Sequence, residues 1–214
     1  MNSNTIFMDI STDEVILSDW NEISISLARN DIEATLWREL VNIVKNHDLK
    51  NIIVLNWPGG FTNLRVWTLS LNVLNTVINN QIDFFSISKI ELYKKTYDNW
   101  LLPSYWVIYI WQKRNVWLWD FEKNEKIWQF SFDELKNYEI LNSNSIFLDE
   151  VFDEKYYPEW MGGYNKVRTI YNWWVTIEFN WNDLSYNINE LNLNPVKSIA
   201  PNYMMDPNIT LPSK

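Results

Sequence analysis

Hydrophobic spacing changes along the first 95 residues of this chain, and the order of the changes constrains the fold more than any other feature. Apolar residues first cluster in short segments, then repeat at helical spacing, and later return to strand-like runs. The predicted strands cover residues 6–10, 15–17, 23–27, 51–55 and 82–88, and the predicted helices cover residues 31–46 and 61–79. Consecutive strands favour an antiparallel meander, whereas a strand that follows a helix favours a parallel crossover. The chain therefore begins with a predicted α/β unit of order βββαβα.

The second half of the chain is less regular. Residues 105–110 and 116–121 predict paired strands, and residues 175–179 predict another strand. Ser131 fits the cap of a short helix because its side chain can accept from the first free backbone amides. We place the boundary between the two halves near residues 95–100.

The βββαβα order resembles the ribonuclease-H-like unit shared by the actin, sugar-kinase and Hsp70 ATPases. This resemblance implies an α/β fold of two ribonuclease-H-like lobes (the actin-like ATPase, or ASKHA, architecture), of which the second is smaller and degenerate. We accordingly predict an N-terminal lobe over residues 1–98 and a C-terminal α/β lobe over residues 99–214.

Charge and composition argue against several function classes. The formal net charge is −9, and because nucleic-acid affinity comes mostly from Lys and Arg on phosphate, we expect no tight nucleic-acid binding by this chain alone. The chain has no cysteine and one histidine, His47, so we predict neither a disulfide nor a metal site. No apolar run is long enough to cross a bilayer, and residues 1–4 lack the basic stretch that opens a secretory signal. We expect a cytoplasmic protein that does not enter a membrane.

Tryptophan and glycine occur in nearly reversed proportions, with 14 Trp and 4 Gly. Together they make up 18 of the 214 residues, which is close to the share of glycine alone in average proteins, about 7%. Five Trp follow Asn or Asp, as in Asp19-Trp20, Asn56-Trp57 and Asn180-Trp181, whereas it is Asn-Gly or Asp-Gly that favours a turn. We infer that many of these Trp stand where the gene intends glycine, through UGA codons read as Trp. The alternative is a Trp-rich protein such as a carbohydrate-binding module, with exposed rings aligned on one face.

The helix predicted over residues 61–79 carries two apolar stripes about 140° apart. One stripe consists of Val66, Leu69, Val73 and Val77, and the other of Leu64, Leu71, Leu74 and Ile78. The polar residues of the helix, among them Thr68 and Asn75, share the remaining arc. One stripe can pack on the sheet, and the other needs a neighbouring helix of the chain or a partner protein.

The loop before this helix carries the most specific motif. Residues 56–67 read Asn-Trp-Pro-Gly-Gly-Phe-Thr-Asn-Leu-Arg-Val-Trp, which is similar to the signature G-P-G-S-F-T-G-L-R-x-G of the TsaB (YeaZ-like) family. Trp57 and Trp67 stand at the flanking glycines of that signature, and Gly60 and Asn63 depart from it. A sharp turn from strand to helix requires glycine because of its backbone freedom. The loop lacks the Lys-Ser/Thr of a Walker P-loop.

Two further segments resemble the same family. Residues 8–12, Met-Asp-Ile-Ser-Thr, are similar to its opening L-D-T-S/T motif, and residues 201–207 are similar to its closing P-x-Y-L-R-x-P, with Met205 where Arg is common. In ATPases of this superfold the Asp and the hydroxyls approach the nucleotide. The resemblance implies a vestigial nucleotide site at Asp9, Ser11, Thr12, Gly59 and Gly60.

The resemblance implies a non-catalytic scaffold subunit in the synthesis of threonylcarbamoyladenosine at position 37 of tRNA, with no catalytic residue and no cofactor. Its partners would be a TsaD-like catalytic subunit and a TsaE-like ATPase, with tRNA bound only through the complex and a homodimer forming when the chain is alone. The expected partner interface consists of Leu64, Arg65, Thr68, Leu71, Leu74 and Ile78, together with Leu36. The alternatives are an independent ATP-dependent kinase or ATPase of the same superfold and the carbohydrate-binding module.

Overall fold

The computed structural model describes residues 4–10, 15–19, 24–27, 32–46, 48–56, 61–100, 102–109, 115–131, 134, 147–149, 166–170, 174–179, 182–187 and 191–201. The helices are α1 (Ile32–Asn46), α2 (Phe61–Val77) and α3 (Lys89–Asn99). The strands before residue 100 are β1 (Thr5–Asp9), β2 (Val15–Asp19), β3 (Ser24–Leu27), β4 (Asn51–Leu55) and β5 (Asp83–Ile87). The later strands are β6 (Tyr105–Tyr109), β7 (Asn115–Asp120), β8 (Glu125–Ser131), β9 (Phe147–Asp149), β10 (Lys166–Ile170), β11 (Trp174–Phe179) and β12 (Asn182–Asn187).

The first sheet has the strand order β3-β2-β1-β4-β5. The pairs β1–β2 and β2–β3 are antiparallel, and β4 lies parallel to β1 with Ile6 opposite Ile52. β5 continues the sheet parallel to β4. The predicted meander and the parallel pairing of the fourth strand with the first are therefore confirmed.

Both faces of this sheet are covered, which is why its central strands are almost continuously apolar. Ile6 and Met8 of β1 point into a core that α1 and α2 complete. Phe7 lies between them in sequence and joins a second cluster on the opposite face, together with Leu92 of α3 and Leu191. The alternation along β1 thus assigns α1 and α2 to one face of the sheet and Leu92 to the other.

The second sheet has the order β12-β11-β10-β9-β6-β7-β8. Its part from β8 to β10 repeats the first sheet in order and in sense. The pairs β6–β7 and β7–β8 are antiparallel, and the pairs β6–β9 and β9–β10 are parallel. The molecule is therefore a mixed α/β structure in which one pattern of strand pairing occurs twice, and the predicted strand pair β6–β7 is confirmed.

Residues 191–201, which we call the strap, return to the first sheet. Val196 forms an antiparallel bridge with Phe84 of β5, and the ammonium of Lys197 lies 2.8 Å from a carboxylate oxygen of Asp83. Ile199 is buried in the core that contains α1 and α2. The predicted boundary at residue 98 does not account for this contact, because it assigns the strap to the C-terminal lobe.

Helix α3 was not predicted from the sequence. Ser88 caps it, because the Glu91 amide donates to Ser88 Oγ over 3.2 Å and the Ser88 amide donates to Glu91 Oε2 over 2.7 Å. This reciprocal pair is the Ser-x-x-Glu capping box, a pattern visible in the sequence. Strands β8, β9, β10 and β12 were also not predicted. Of the helices in the described residues, none is long and apolar enough to cross a membrane.

Candidate functional site

Helix α2 contains the expected partner interface, and the structure corrects which of its stripes faces outward. Leu64, Leu71 and Leu74 are buried in the core, with Leu71 fully enclosed at 0% exposure, and Ile78 is half-buried against the same cluster. Leu36 of α1 is buried there too. These side chains stabilise the chain itself and are not available to a partner in this conformation. Assigning them to an outward-facing interface was wrong.

The opposite stripe of α2 is the exposed one. Leu69, Val73 and Val77 are 64%, 42% and 67% exposed, and we call these three residues the outer stripe. Successive members are four residues apart and therefore lie along one side of the helix. Arg65 is also exposed, so of the predicted interface set it is the residue that remains on the surface. Contiguous exposed apolar side chains on a helix are a common mark of an interaction surface.

Buried polar residues explain why the sequence pattern assigned the stripes the wrong way round. Thr68 and Asn75 belong to the polar arc of the helix, yet both are buried on the core face. The Thr68 hydroxyl donates to the Leu64 carbonyl over 2.8 Å, and the Asn75 amide bonds the Ile82 backbone. Because these groups are hydrogen-bonded, their burial carries no large desolvation cost. The positions of the polar residues along α2 therefore did not show which side of the helix faces solvent.

The carboxyl edge of the parallel strands is a second candidate site. Asp9, Leu55 and Ile87 lie side by side at the ends of β1, β4 and β5. Asp9, Asn56 and Lys89 are all buried at or just beyond this edge, at 2%, 5% and 1% exposure. Ligands of open α/β sheets bind outside the carboxyl ends of the strands. Asp9 ends β1, as its place in the sequence predicted, and the sequence analysis did not single out Asn56 or Lys89. A nucleotide site at this edge stays a prediction.

Asn56 has an unsatisfied polar atom at this edge. Its side-chain nitrogen donates to Ser86 Oγ over 2.6 Å, whereas its buried side-chain oxygen has no partner among the described residues. Exchanging the two amide atoms would leave the nitrogen unpaired instead. An unsatisfied buried group costs about 1–3 kcal/mol, so a water or a ligand group that completes it would be stabilising. The other predicted members of this site, Ser11, Thr12, Gly59 and Gly60, lie outside the described residues.

The tryptophans whose side chains the structure describes differ in burial. Trp67, Trp106, Trp117 and Trp119 are buried, Trp100 is half-buried against the core, and Trp37 and Trp128 are exposed, one on α1 and the other on β8. The exposed Trp rings among the described side chains, Trp37 and Trp128, lie on different elements, a helix and a strand, and do not form the row of neighbouring rings that the carbohydrate-binding alternative predicts. No described Trp has a positive φ, and Trp20, Trp57, Trp173 and Trp181 lie outside the described residues. The inference that these are glycine positions stays a prediction.

Comparison with known proteins gave no matching family model and no matching curated protein. A crystal structure of an uncharacterised Pseudomonas aeruginosa protein, described as similar to the peptidase YeaZ, shares 15% identity over 69% of this chain and 76% of its own, with a TM-score of 0.39. YeaZ from Pseudomonas aeruginosa shares 18% identity over 58% of this chain and 63% of its own, with a TM-score of 0.36. This chain therefore spans less than two thirds of that YeaZ structure.

Proposed function

We propose that this protein is a non-catalytic scaffold subunit of the TsaB type, which acts with a TsaD-like catalytic subunit in the synthesis of threonylcarbamoyladenosine at position 37 of tRNA. The observation that carries the proposal is the motif of residues 57–67, which follows the end of β4 in the sequence and continues into the first two turns of α2. The opening and closing motifs occur in the family order at the two ends of the chain. The resemblance therefore extends over the length of the chain.

The repeated strand order supports the two-lobed part of the proposal. The order β3-β2-β1-β4-β5 and its counterpart β8-β7-β6-β9-β10 have the same sequence of antiparallel and parallel pairs. Duplication of one unit is what two ribonuclease-H-like lobes would give. The second lobe departs from the first because β11 and β12 extend its sheet on the far side of β10.

The outer stripe, Leu69, Val73 and Val77, is the docking surface that we propose for the TsaD-like subunit. It replaces the buried leucines of the sequence prediction and leaves α2 as the helix that docks. Burying an apolar helix face against a partner helix removes this surface from water. A protein of net charge −9 gives tRNA no strong electrostatic attraction, so the partner would supply the basic surface. A TsaE-like ATPase would supply nucleotide turnover in the cytoplasmic complex.

Replacing Leu69 with Asp tests the docking surface. Leu69 is 64% exposed, so the variant should fold, while an unpaired charge in the centre of an interface should weaken partner binding by about 2 kcal/mol or more, about thirtyfold in Kd. Binding to the TsaD-like subunit and tRNA modification by the reconstituted set are the measurements. Trp128→Asp is the matched control, because Trp128 is 59% exposed but lies on β8. If Leu69→Asp and Trp128→Asp bind the partner equally well, α2 does not form the interface.

An ATP-dependent kinase or ATPase remains the second candidate, and the unsatisfied amide of Asn56 favours it. If nucleotide binds at the carboxyl edge, Asn56→Leu should reduce the affinity for ATP at least tenfold, because it removes both polar atoms of this side chain. Calorimetric titration of the isolated protein with ATP and Mg²⁺ measures this. Lack of ATP binding by the isolated parent would reject this candidate and would leave the scaffold proposal untouched.

A further inference from the structure

The strap ends against the helix that carries the outer stripe. Asn72 of α2 bonds both backbone atoms of Ile199, because its side-chain nitrogen donates to the Ile199 carbonyl over 2.7 Å and its side-chain oxygen accepts from the Ile199 amide over 2.9 Å. Leu69 and Val73 lie three residues before and one residue after Asn72 on the same helix. The chain is therefore fixed at the edge of the outer stripe two residues before Pro201.

Charge pairing and a second asparagine fix the direction in which the strap runs. Lys197 is bonded through its carbonyl to the side chain of Asn75, over 3.0 Å, and its ammonium lies against Asp83. Ile199, two residues later, is held at Asn72, one helical turn closer to the start of α2. From Lys197 to Ile199 the strap therefore runs along α2 towards the start of the helix, which is the direction in which Leu69 lies.

Residues 202–214 follow this anchor and begin with an apolar group, Tyr203, Met204 and Met205. The apolar group lies two to four residues beyond Pro201, and four residues of extended chain span up to about 14 Å. The outer stripe covers about 12 Å of helix axis, so an anchor at the edge of the stripe leaves its members within reach of the apolar group. Met side chains adapt readily to irregular apolar surfaces, and a short tether raises the local concentration of the group to about the millimolar range.

We propose that residues 203–205 dock on the outer stripe of their own chain and cover it until a partner displaces them. Tyr203, Met204 and Met205 then bury Leu69 and Val73 in the free protein, and partner and tail compete for one surface. The docking is a property of this chain alone, whereas the competition rests on the function proposed above. The apparent Kd for the partner should equal the intrinsic Kd divided by the fraction of chains in which the stripe is uncovered.

A spin label on the tail tests the docking directly. The chain has no cysteine, so Asn208→Cys offers a single attachment point beyond the apolar group. In the labelled protein the methyl resonances of Leu69, Val73 and Val77 should be broadened. The matched control carries the same label with Tyr203, Met204 and Met205 all replaced by Ser, which keeps the tether length and removes the apolar side chains. In this control the broadening of the three methyl groups should fall at least threefold.

Three outcomes overturn the docking. They are equal broadening in the labelled protein and the serine variant, absence of broadening at the stripe, and broadening that grows with protein concentration, which would assign the stripe to a second copy of the chain. The competition has its own readout, since the serine variant should bind the TsaD-like subunit at least threefold more tightly than the parent. Unchanged affinity together with label contact would overturn the competition and leave the docking in place. These results are distinct from failure of the proposed function, in which neither protein would bind the partner.

Discussion

Asn75 should be among the most sensitive polar positions in the described structure. Its side chain is fully buried and joins three parts of the chain: α2, the turn before β5 and the strap. The nitrogen donates to the carbonyls of Ile82 and Lys197 over 2.9 and 3.0 Å, and the oxygen accepts from the Ile82 amide over 2.9 Å. Substitution of Asn75 with Ala removes all three hydrogen bonds at once.

The magnitude follows from those three bonds. A hydrogen bond contributes about 0.5–1.5 kcal/mol net, and a buried backbone group left without a partner costs about 1–3 kcal/mol. Because the amide and carbonyl of Ile82 lose their side-chain partner together, we expect Asn75→Ala to lower the free energy of unfolding by about 3 kcal/mol. Asn75→Asp should be at least as damaging, since it keeps the acceptor for the Ile82 amide but turns a carboxylate oxygen towards two carbonyls.

Urea unfolding of the purified variants measures this effect, and two neighbours on α2 provide the scale. Asn72→Ala removes two bonds to Ile199 at a half-buried site where water can substitute, so it should cost about 1 kcal/mol. Thr76 is exposed and bonds only the carbonyl one turn before it, so Thr76→Ala should cost less than about 0.5 kcal/mol. If the free energies of unfolding of Asn75→Ala and Thr76→Ala differ by less than about 0.5 kcal/mol, Asn75 does not hold the strap on the helix.

Two further predictions concern the capped segment after β8 and the tryptophan codons. The amide and hydroxyl of Ser131 both donate to Glu134 and hold the pKa of that carboxyl below its usual value, the backbone bond being the larger cause. Ser131→Ala should therefore raise the pKa of Glu134 only part of the way, as followed by NMR titration. Because the folded-state pKa of Glu134 is lowered, any stability that Glu134 contributes is present above the usual glutamate pKa and is lost as the pH falls through the lowered value. A pKa of Glu134 that is unchanged or fully restored in Ser131→Ala would contradict the assignment of the two hydrogen bonds as its cause. Separately, the gene should carry UGA at the codons for residues 57 and 67, and mass spectrometry of the protein from its native host should find glycine at both positions. UGG at both codons would refute the glycine interpretation.

Local hydrophobic pattern was sufficient to predict the first sheet. Residues 51–55 and 61–79 were predicted as strand and helix, and the structure has β4 over Asn51–Leu55 and α2 over Phe61–Val77. The parallel pairing of β4 with β1 also followed, because a helix that connects two strands of one sheet requires a crossover. These features depend on the spacing of neighbouring residues, which a single sequence displays.

Features that depend on distant contacts were not predictable in the same way. The strap is held by Asn72 and Asn75, which are more than 120 residues away from Ile199 and Lys197 in the chain, and nothing in the local sequence links them. The hydrogen bonds of Asn75 also explain why the sequence analysis placed the partner interface on the wrong side of α2. Asn75 is polar, but its bonds to Ile82 and Lys197 allow it to be buried in the core. Helix α3 differs from both, because its Ser88–Glu91 capping box was visible in the sequence and was overlooked.

The buried tryptophans differ in whether their indole nitrogen has a hydrogen-bond acceptor, and this difference bears on whether the gene encodes Trp or Gly at each position. The indole nitrogen of Trp106 donates to the Pro103 carbonyl over 2.8 Å, and that of Trp117 donates to Gln129 over 3.1 Å. Those of Trp67 and Trp119 are buried with no hydrogen-bond acceptor among the described residues, which costs about 1–3 kcal/mol each. Trp67 also stands where the family signature has glycine, so the sequence motif and the unsatisfied donor point independently to the same position. Glycine there would remove the unsatisfied donor, at a helix-propensity cost of about 1 kcal/mol relative to Ala. It would also remove a fully buried indole from the core, and truncation of a buried aromatic side chain costs about 3–5 kcal/mol. The two effects oppose each other, so this is the residue at which the gene sequence decides most about the natural protein.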